Sequence, residues 1–430
     1  MQKDNIYAGT SKVDVTPNGA VRVEGHLLEK ICNMVHDPLY AKILVLRQKN
    51  IRVGIICCDL LHLKRDFADR VVEDIEERCD IPRGNLMIAC SHTHSGPQTA
   101  DSSVVKKEKK YLESLRGKLV NAARDAIKNF KEVKIGIAKG CEDAIGLNSR
   151  FRLEDGTISW CPPRKGEKVV STGPIDPAVG IIFFKDFQDN FIATFYNYAC
   201  HADAGGFSGI SADYPGVASG IIEQELGGLA LFTRGACGDI HPRKYGTAEA
   251  MGLKLGKEVV RRAKNISFHS CKELKSIKEE IVLPLRSLDA GQMREVDYVC
   301  ERIGGRADKE TIEGWKDYFR RCYRQFQELR ETTKNFSTLI QVVRIGDVVL
   351  VGIPGEQFVR YGLQIKKRSK FKNTFVVNLA NDSIGYIPTR KAFKEGGYQT
   401  WIGSSIITPE GGEIIEKRVL HLIDEVSRGA

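Results

Sequence analysis

The sequence predicts an α/β fold, a large mixed-sheet domain with flanking helices. Three observations carry this: short β-favouring runs alternate with amphipathic ones, several buried-looking runs end directly on histidine- or glycine-rich turns, and no internal repeat is present. The runs Tyr40 to Arg47 and Ile51 to Cys58 are apolar and read as strands, and Phe67 to Arg78 suits a helical face. Leu86 to Cys90 reads as a buried strand leading into SHTHSGP. Tyr111, Leu115, Leu119 and Ala122 recur at helical spacing within a helix predicted from Tyr111 to Phe130. Val133 to Ala138, Gly180 to Phe184 and Asn190 to Tyr198 are further strands.

Beyond the loop from Cys200 to Pro215, the pattern predicts a helix over Gly216 to Leu226, a short strand over Leu229 to Thr233 and a helix over Thr247 to Lys264. The polar stretch Met293 to Lys334 carries aromatics at Trp315, Tyr318, Phe319, Tyr323 and Phe326. Its flanks lack a flexible linker, so it reads as a helical excursion between strands. Strands at Leu339 to Arg344, Val348 to Gly352 and Thr374 to Leu379 follow, and EGGEIIEKRVLHLIDEV closes the chain as an amphipathic helix. One domain over 1–430, with the excursion at 293–334, is the expected organisation.

The chain has 430 residues, 65 basic against 55 acidic, a formal charge of +10. That charge is dispersed and does not argue for a nucleic-acid partner. With 42% hydrophobic and 28% charged residues, the disordered, collagenous and coiled-coil classes are excluded. No apolar run approaches the roughly 20 residues of a membrane span, and the amino terminus lacks a signal-peptide core. A cytoplasmic location without stable membrane insertion, and a small-molecule substrate, are expected; oligomeric state is left open. The 12 cysteines, Cys57, Cys58, Cys90, Cys200 and Cys237 among them, show no CxxC spacing and read as reduced, mostly buried thiols.

The segment CSHTHSGP places His92 and His94 where a buried strand ends. Alternate residues share a face of a regular strand, so one imidazole suits a metal ligand and its neighbour a proton or a substrate oxygen; His92 and His94 take those roles in turn, against two histidines packed in a turn. His201 stands after a second strand, FIATFYNYAC, and opens ADAGGFSGISADYPG. Asp213 fits a carboxylate behind a ligand or a helix cap. Glu356 in GIPGEQF fits a His/His/Glu set suited to zinc with one position open, or a carboxylate at a helix start. Tyr386 and Tyr398 fit weak metal coordination, an oxyanion donor, or half-buried packing.

Taken together, YAGTSKVDVTP, SHTHSGP, YACHAD with ISADYPG, GACGDIHP, GIPGEQF, NDSIGYIPT and GGYQT resemble the catalytic domain of the neutral or alkaline, non-lysosomal ceramidases, zinc amidases acting on N-acyl sphingosines. The motifs keep their order over nearly the whole chain. The resemblance implies zinc held by His92, His201, Glu356 and Tyr386, with His94 at the reacting centre and Tyr398 as a second active-site tyrosine. Arg150, in GLNSR, is the counterpart of an arginine contacting the substrate head, a role Asn148 or Arg152 shares.

One departure stands out in TRGACGDIHP. The serine proposed as nucleophile in that family falls on Gly235, and Cys237 lies two positions on. Arg234 and His241 flank the turn, and with the arginines and glycines up to Arg243 they suit a polar or anionic ligand. The family's carboxy-terminal immunoglobulin-like domain is also expected to be missing. A zinc-dependent hydrolase that uses metal-activated water on an amide or related bond of a polar, soluble substrate is the first expectation. A ceramide amidohydrolase and a non-catalytic metal- or ligand-binding protein are the alternatives.

Overall fold

A computed structural model of the chain describes residues 5–428 except 160–165, 206–208, 243–245, 290 and 304–307. Arg243 and part of the 293–334 excursion therefore lie outside the described residues. Two sheets, one of nine strands and one of four, make up the centre.

The alternation of side chains explains why the sheets stack. Along Tyr40–Gln48, Ile43 and Val45 face one way and join a core with Phe67, Val71, Leu115 and Leu119 from the helices Arg65–Cys79 and Lys109–Lys128. Their neighbours Leu44 and Leu46 face the other way and meet Val343, Ile345, Val348 and Leu350 of the smaller sheet. The far face of that sheet, through Val349, Val351 and Val376, is covered by the helices Val359–Arg368 and Gly411–Ser427. The result is a helix, sheet, sheet, helix sandwich.

The predicted mixed sheet thus resolves into two. The strand Leu274–Pro284, which the charged text KSIKEE conceals, pairs along its full length with Asn335–Ile345 at the edge of the smaller sheet. An edge position tolerates its lysines and glutamates. The helices Gln292–Ile303 and Lys309–Thr332 lie between these two strands in sequence, and the second starts on Asp308, whose side chain accepts from the Thr311 amide. The helix Val359–Arg368 has no counterpart in the sequence prediction.

Most neighbours are antiparallel, but within the two central sheets three pairs are parallel: Ile51–Cys58 with Leu86–Cys90, Phe191–Tyr198 with Leu229–Arg234, and Val348–Ile353 with Asn373–Asn378. Their carboxyl ends open at one side of the molecule. Ala89 bridges Ala380, and the Asn381 amide donates to the Ile88 carbonyl, which ties the two sheets together there. Loops leaving parallel strands at their carboxyl ends are where α/β sheets place ligands.

Every described cysteine is a free thiol, and Cys90, Cys200 and Cys237 are buried. Among the described residues no helix is long and apolar enough to cross a membrane.

Candidate metal centre

Each chemistry-bearing loop leaves one of those strand ends. His92 follows Leu86–Cys90 in the left-handed backbone region, φ 68°, with its amide bonded to the Leu60 carbonyl. A non-glycine residue there costs conformational energy, and such strain gathers at functional sites. A bridge between Thr93 and Ala202, with the His94 amide donating to the Ala202 carbonyl, brings the loop after Cys90 against the loop after Tyr198. The rings of His92 and His201 consequently lie 4.9 Å apart, as do those of His92 and His94. One donor atom from each of His92, His94 and His201 falls within 4.8 Å of the others.

Glu356 and Tyr386 arrive from the smaller sheet. Glu356–Gln357 and Tyr386–Ile387 form a two-residue parallel ladder with Glu356 opposite Tyr386. The Glu356 amide donates to the Gly385 carbonyl. Tyr398, on the short turn Tyr398–Thr400, stacks edge-on against Tyr386 at 5.7 Å.

The polar geometry at the centre is specific. Nδ1 of His92 lies 2.9 Å from the Leu61 carbonyl, and Nδ1 of His201 lies 2.8 Å from the Ile240 carbonyl. A carbonyl only accepts, so both Nδ1 atoms are the protonated ones and both Nε2 atoms of the neutral rings carry bare lone pairs. Those Nε2 atoms sit 3.2 and 3.0 Å from one oxygen of Glu356. Burial, reinforced by the Arg234 charge, lowers both imidazoles to about 4, so near neutral pH they are uncharged. Burial pushes the Glu356 carboxyl up, but any proton on His92 or His201 and the permanent charge of Arg234 oppose this and hold it well below the usual carboxylate range. Nε2 of His201 is buried and makes no hydrogen bond. Two lone pairs and a carboxylate converging in a buried space match the donor set of a divalent cation, each imidazole oriented by a carbonyl behind it.

The remaining candidates divide. Burial lowers His94 to about 3, and its Nε2 is buried without a partner. Gly25 makes room for it: a Cβ there would stand 2.6 Å from His94 Nδ1. Burial raises Tyr398 to about 12 and Tyr386 well above the usual phenol, so both keep their protons. Asp213 starts the helix Asp213–Leu226 and accepts from the Tyr214 and Ala204 amides, so it braces the loop after His201 and touches no imidazole there. His241 stacks on His201, ring centroids 4.0 Å apart.

Arg150 is not brought to the histidines. With Asn148 and Arg152 it lines a separate pocket of about 150 Å³, where its guanidinium bonds the Gly396 carbonyl and Gln399 and pairs with Glu395. It fastens the turn that carries Tyr398. Gly235 touches the backbone of Ala199 so closely that a Cβ would fall 3.0 Å from Ala199 Cα. Cys237 is fully buried, and burial pushes its thiol up to about 12.

Arg234 is the unforeseen contact. It is fully buried, with its terminal nitrogens 3.5 and 3.4 Å from the same Glu356 oxygen and its Nε unpartnered. The centre opens on a cavity of about 550 Å³ whose walls include Glu24, His62, Lys64, Lys106, Tyr318 and Phe326. His62 and Lys64 escaped the sequence reading although they follow a strand end, at Cys58, of the same kind as the one before His92.

No protein-family model and no curated protein sequence matches the chain. Among solved structures, neutral ceramidase from Pseudomonas aeruginosa is similar with a TM-score of 0.72 and 17% identity, covering 98% of this chain and 75% of that one. A ceramidase complexed with C2 is similar with a TM-score of 0.75, 17% identity and the same coverage. Over nearly its whole described length, this chain has the fold of the neutral ceramidases, at an identity that speaks for architecture alone.

Proposed function

We propose that the chain is a metal-dependent hydrolase, a divergent relative of the neutral ceramidases that holds zinc at His92, His201, Glu356 and Tyr386 and cleaves an amide or related bond of a small, polar substrate in the cytoplasm. The observation that carries this reading is the pair of bare Nε2 lone pairs facing one Glu356 oxygen at 3.2 and 3.0 Å. Neutral imidazoles and a carboxylate suit zinc, though other divalent ions accept the same donors. When bound, such an ion supplies a Lewis acid and a water of lowered pKa at neutral pH.

The chain's own groups supply the rest. No side-chain nucleophile is needed, which agrees with glycine at 235 and an inert thiol at Cys237. His94, neutral and half-buried beside His92, takes a proton from water and carries it to the leaving nitrogen. The phenol of Tyr398, which keeps its proton, donates toward an oxyanion, while Tyr386 beside it stands at the metal. Leu61 and Ile240 carbonyls keep His92 and His201 in the tautomer with Nε2 free.

Ceramide amidohydrolysis is the second reading, favoured by Tyr318, Phe326 and Leu329, which give the cavity an apolar side. The charged groups that also line it, Lys64, Lys106, Glu24 and Asp101, support the polar substrate instead. The test is metal analysis of the purified chain followed by turnover of N-acyl sphingosine and of water-soluble N-acyl compounds with zinc restored. Turnover that depends on His92, His201 and Glu356 is expected. Full metal occupancy with no turnover across both classes identifies a binding protein instead.

A further inference from the structure

We propose that the substrate of this site carries an anionic group, so that the enzyme cleaves a small acyl amide bearing a carboxylate or phosphate. The inference rests on the hydrolase reading above and narrows its substrate class.

The first observation is Arg234. Its guanidinium is fully buried, and among the described residues its only polar contact is one oxygen of Glu356. That oxygen is also the one His92 and His201 face. A carboxylate drawn onto a divalent ion has little left to neutralise a guanidinium, and an uncompensated buried charge is costly. Once the ion is seated, Arg234 leaves surplus positive charge beside it. Arg234 does not line the cavity, so an anion there offsets that surplus through space and not by contact.

The second observation is the rest of the cavity. Lys64 lines it and spends one described hydrogen bond, to the Ser383 carbonyl, out of three donors. Lys106, also on the wall, makes no described hydrogen bond or ion pair. Neither Glu24 nor Asp101 on the wall makes a described ion pair with these lysines, although Asp382, Glu24, Asp66 and Glu356 act on Lys64 through space. Glu24 accepts from the amides of Thr99 and Ala100, the Thr99 hydroxyl and Gln98. Asp101 accepts from the Lys107 amide. A volume of about 550 Å³ suits a metabolite-sized ligand.

The reaction leaves the anionic group untouched: water gives its oxygen to the acyl carbon, the C–N bond breaks, and the nitrogen departs with a proton. Lys64 and Lys106 would hold the anion while the amide lies at His94.

The experiment uses the full chain loaded with zinc. N-acetyl-L-amino acids are compared with their carboxamides, and N-acetylhexosamine 6-phosphates with the unphosphorylated sugars. Each anionic member is expected to exceed its neutral match in kcat/KM by about tenfold or more, and Lys64→Met and Lys106→Met each shrink that ratio by about tenfold. Lys106 is exposed, so its variant tests the idea even where Lys64→Met misfolds. Neutral members cleaved as well as anionic ones, or ratios unmoved in Lys106→Met, overturn the proposal while the hydrolase reading stands. With no cleavage at all, calorimetric titration of N-acetylglutamate into the zinc-loaded chain decides: binding weakened by Lys106→Met supports the anion site and discards the hydrolase reading, whereas no binding discards the anion site.

Discussion

Glu356 and Tyr386 stand opposite each other in a parallel ladder only two residues long. Backbone pairing therefore fixes a carboxylate and a phenol, thirty residues apart in sequence, at one point between the sheets. Below them the Gly238 amide donates to the Gln357 carbonyl, so the turn bearing Arg234 and Gly235 is held by the same ladder.

Removing the carboxylate should empty the centre. Glu356→Gln is expected to lower zinc affinity by about 100-fold or more, since an anionic ligand is lost and Arg234 is left without its negative partner. Elemental analysis after dialysis against a chelator reads this. Zinc retained at the wild-type level would contradict the assignment of Glu356 as a ligand.

His94 should behave differently from its neighbour. His94→Asn is predicted to keep its zinc and lose about 100-fold in turnover, whereas His92→Asn loses both. Metal content and rate measured on the same preparations separate them. Equal zinc loss in both variants would make His94 a ligand, which the shared 4.8 Å cluster of imidazoles also permits geometrically.

Position 235 offers no room for a nucleophile. Gly235→Ser pushes a Cβ against Ala199 and should cost about 1–3 kcal/mol of stability without raising activity. Cys237, pushed up to about 12 by burial, should resist iodoacetamide in the native chain near neutral pH, and Cys237→Ala should turn over substrate normally. Thermal melts and alkylation followed by mass spectrometry check both statements. Rapid modification of Cys237 with parallel loss of activity would reinstate a thiol mechanism.

Glu24 provides a pH test on a group that is not itself one of the proposed ligands. Burial raises its carboxyl from 4.5 to about 7 despite the donors from Thr99 and Ala100. The folded chain thus holds a proton that the unfolded chain releases near 4.5. The stabilisation is complete below about 4.5 and disappears as pH rises through about 7. Relative to Glu24→Gln, which mimics the protonated acid, the wild-type Tm should fall across that window. Parallel profiles for the two proteins would refute it.

Much of the centre was legible because its residues stand at strand ends. His92, His94 and His201 follow apolar runs whose burial is plain from the text, and Glu356 follows the strand Val348–Ile353 after one Pro-Gly turn. The family resemblance nominated the same residues, and motif order over the chain agrees with an architecture shared at 17% identity. Less visible were the strand Leu274–Pro284, whose edge position lets charged residues replace the usual alternation, and the division into two sheets, since strand text does not state its partners.

What the sequence determined was which side chains leave the strands, because burial period and turn chemistry are local. Which of them meet was decided only by the tertiary structure, because it depends on strand order and on pairings such as Thr93 with Ala202. That is why the place of Arg150, nominated by the resemblance, could not be read from its neighbours: it lines a pocket apart from the histidines and bonds the Gly396 carbonyl before the Tyr398 turn. For the same reason Arg234, at the end of the strand Leu229–Arg234, lies buried against Glu356, where two sheets close over its charge.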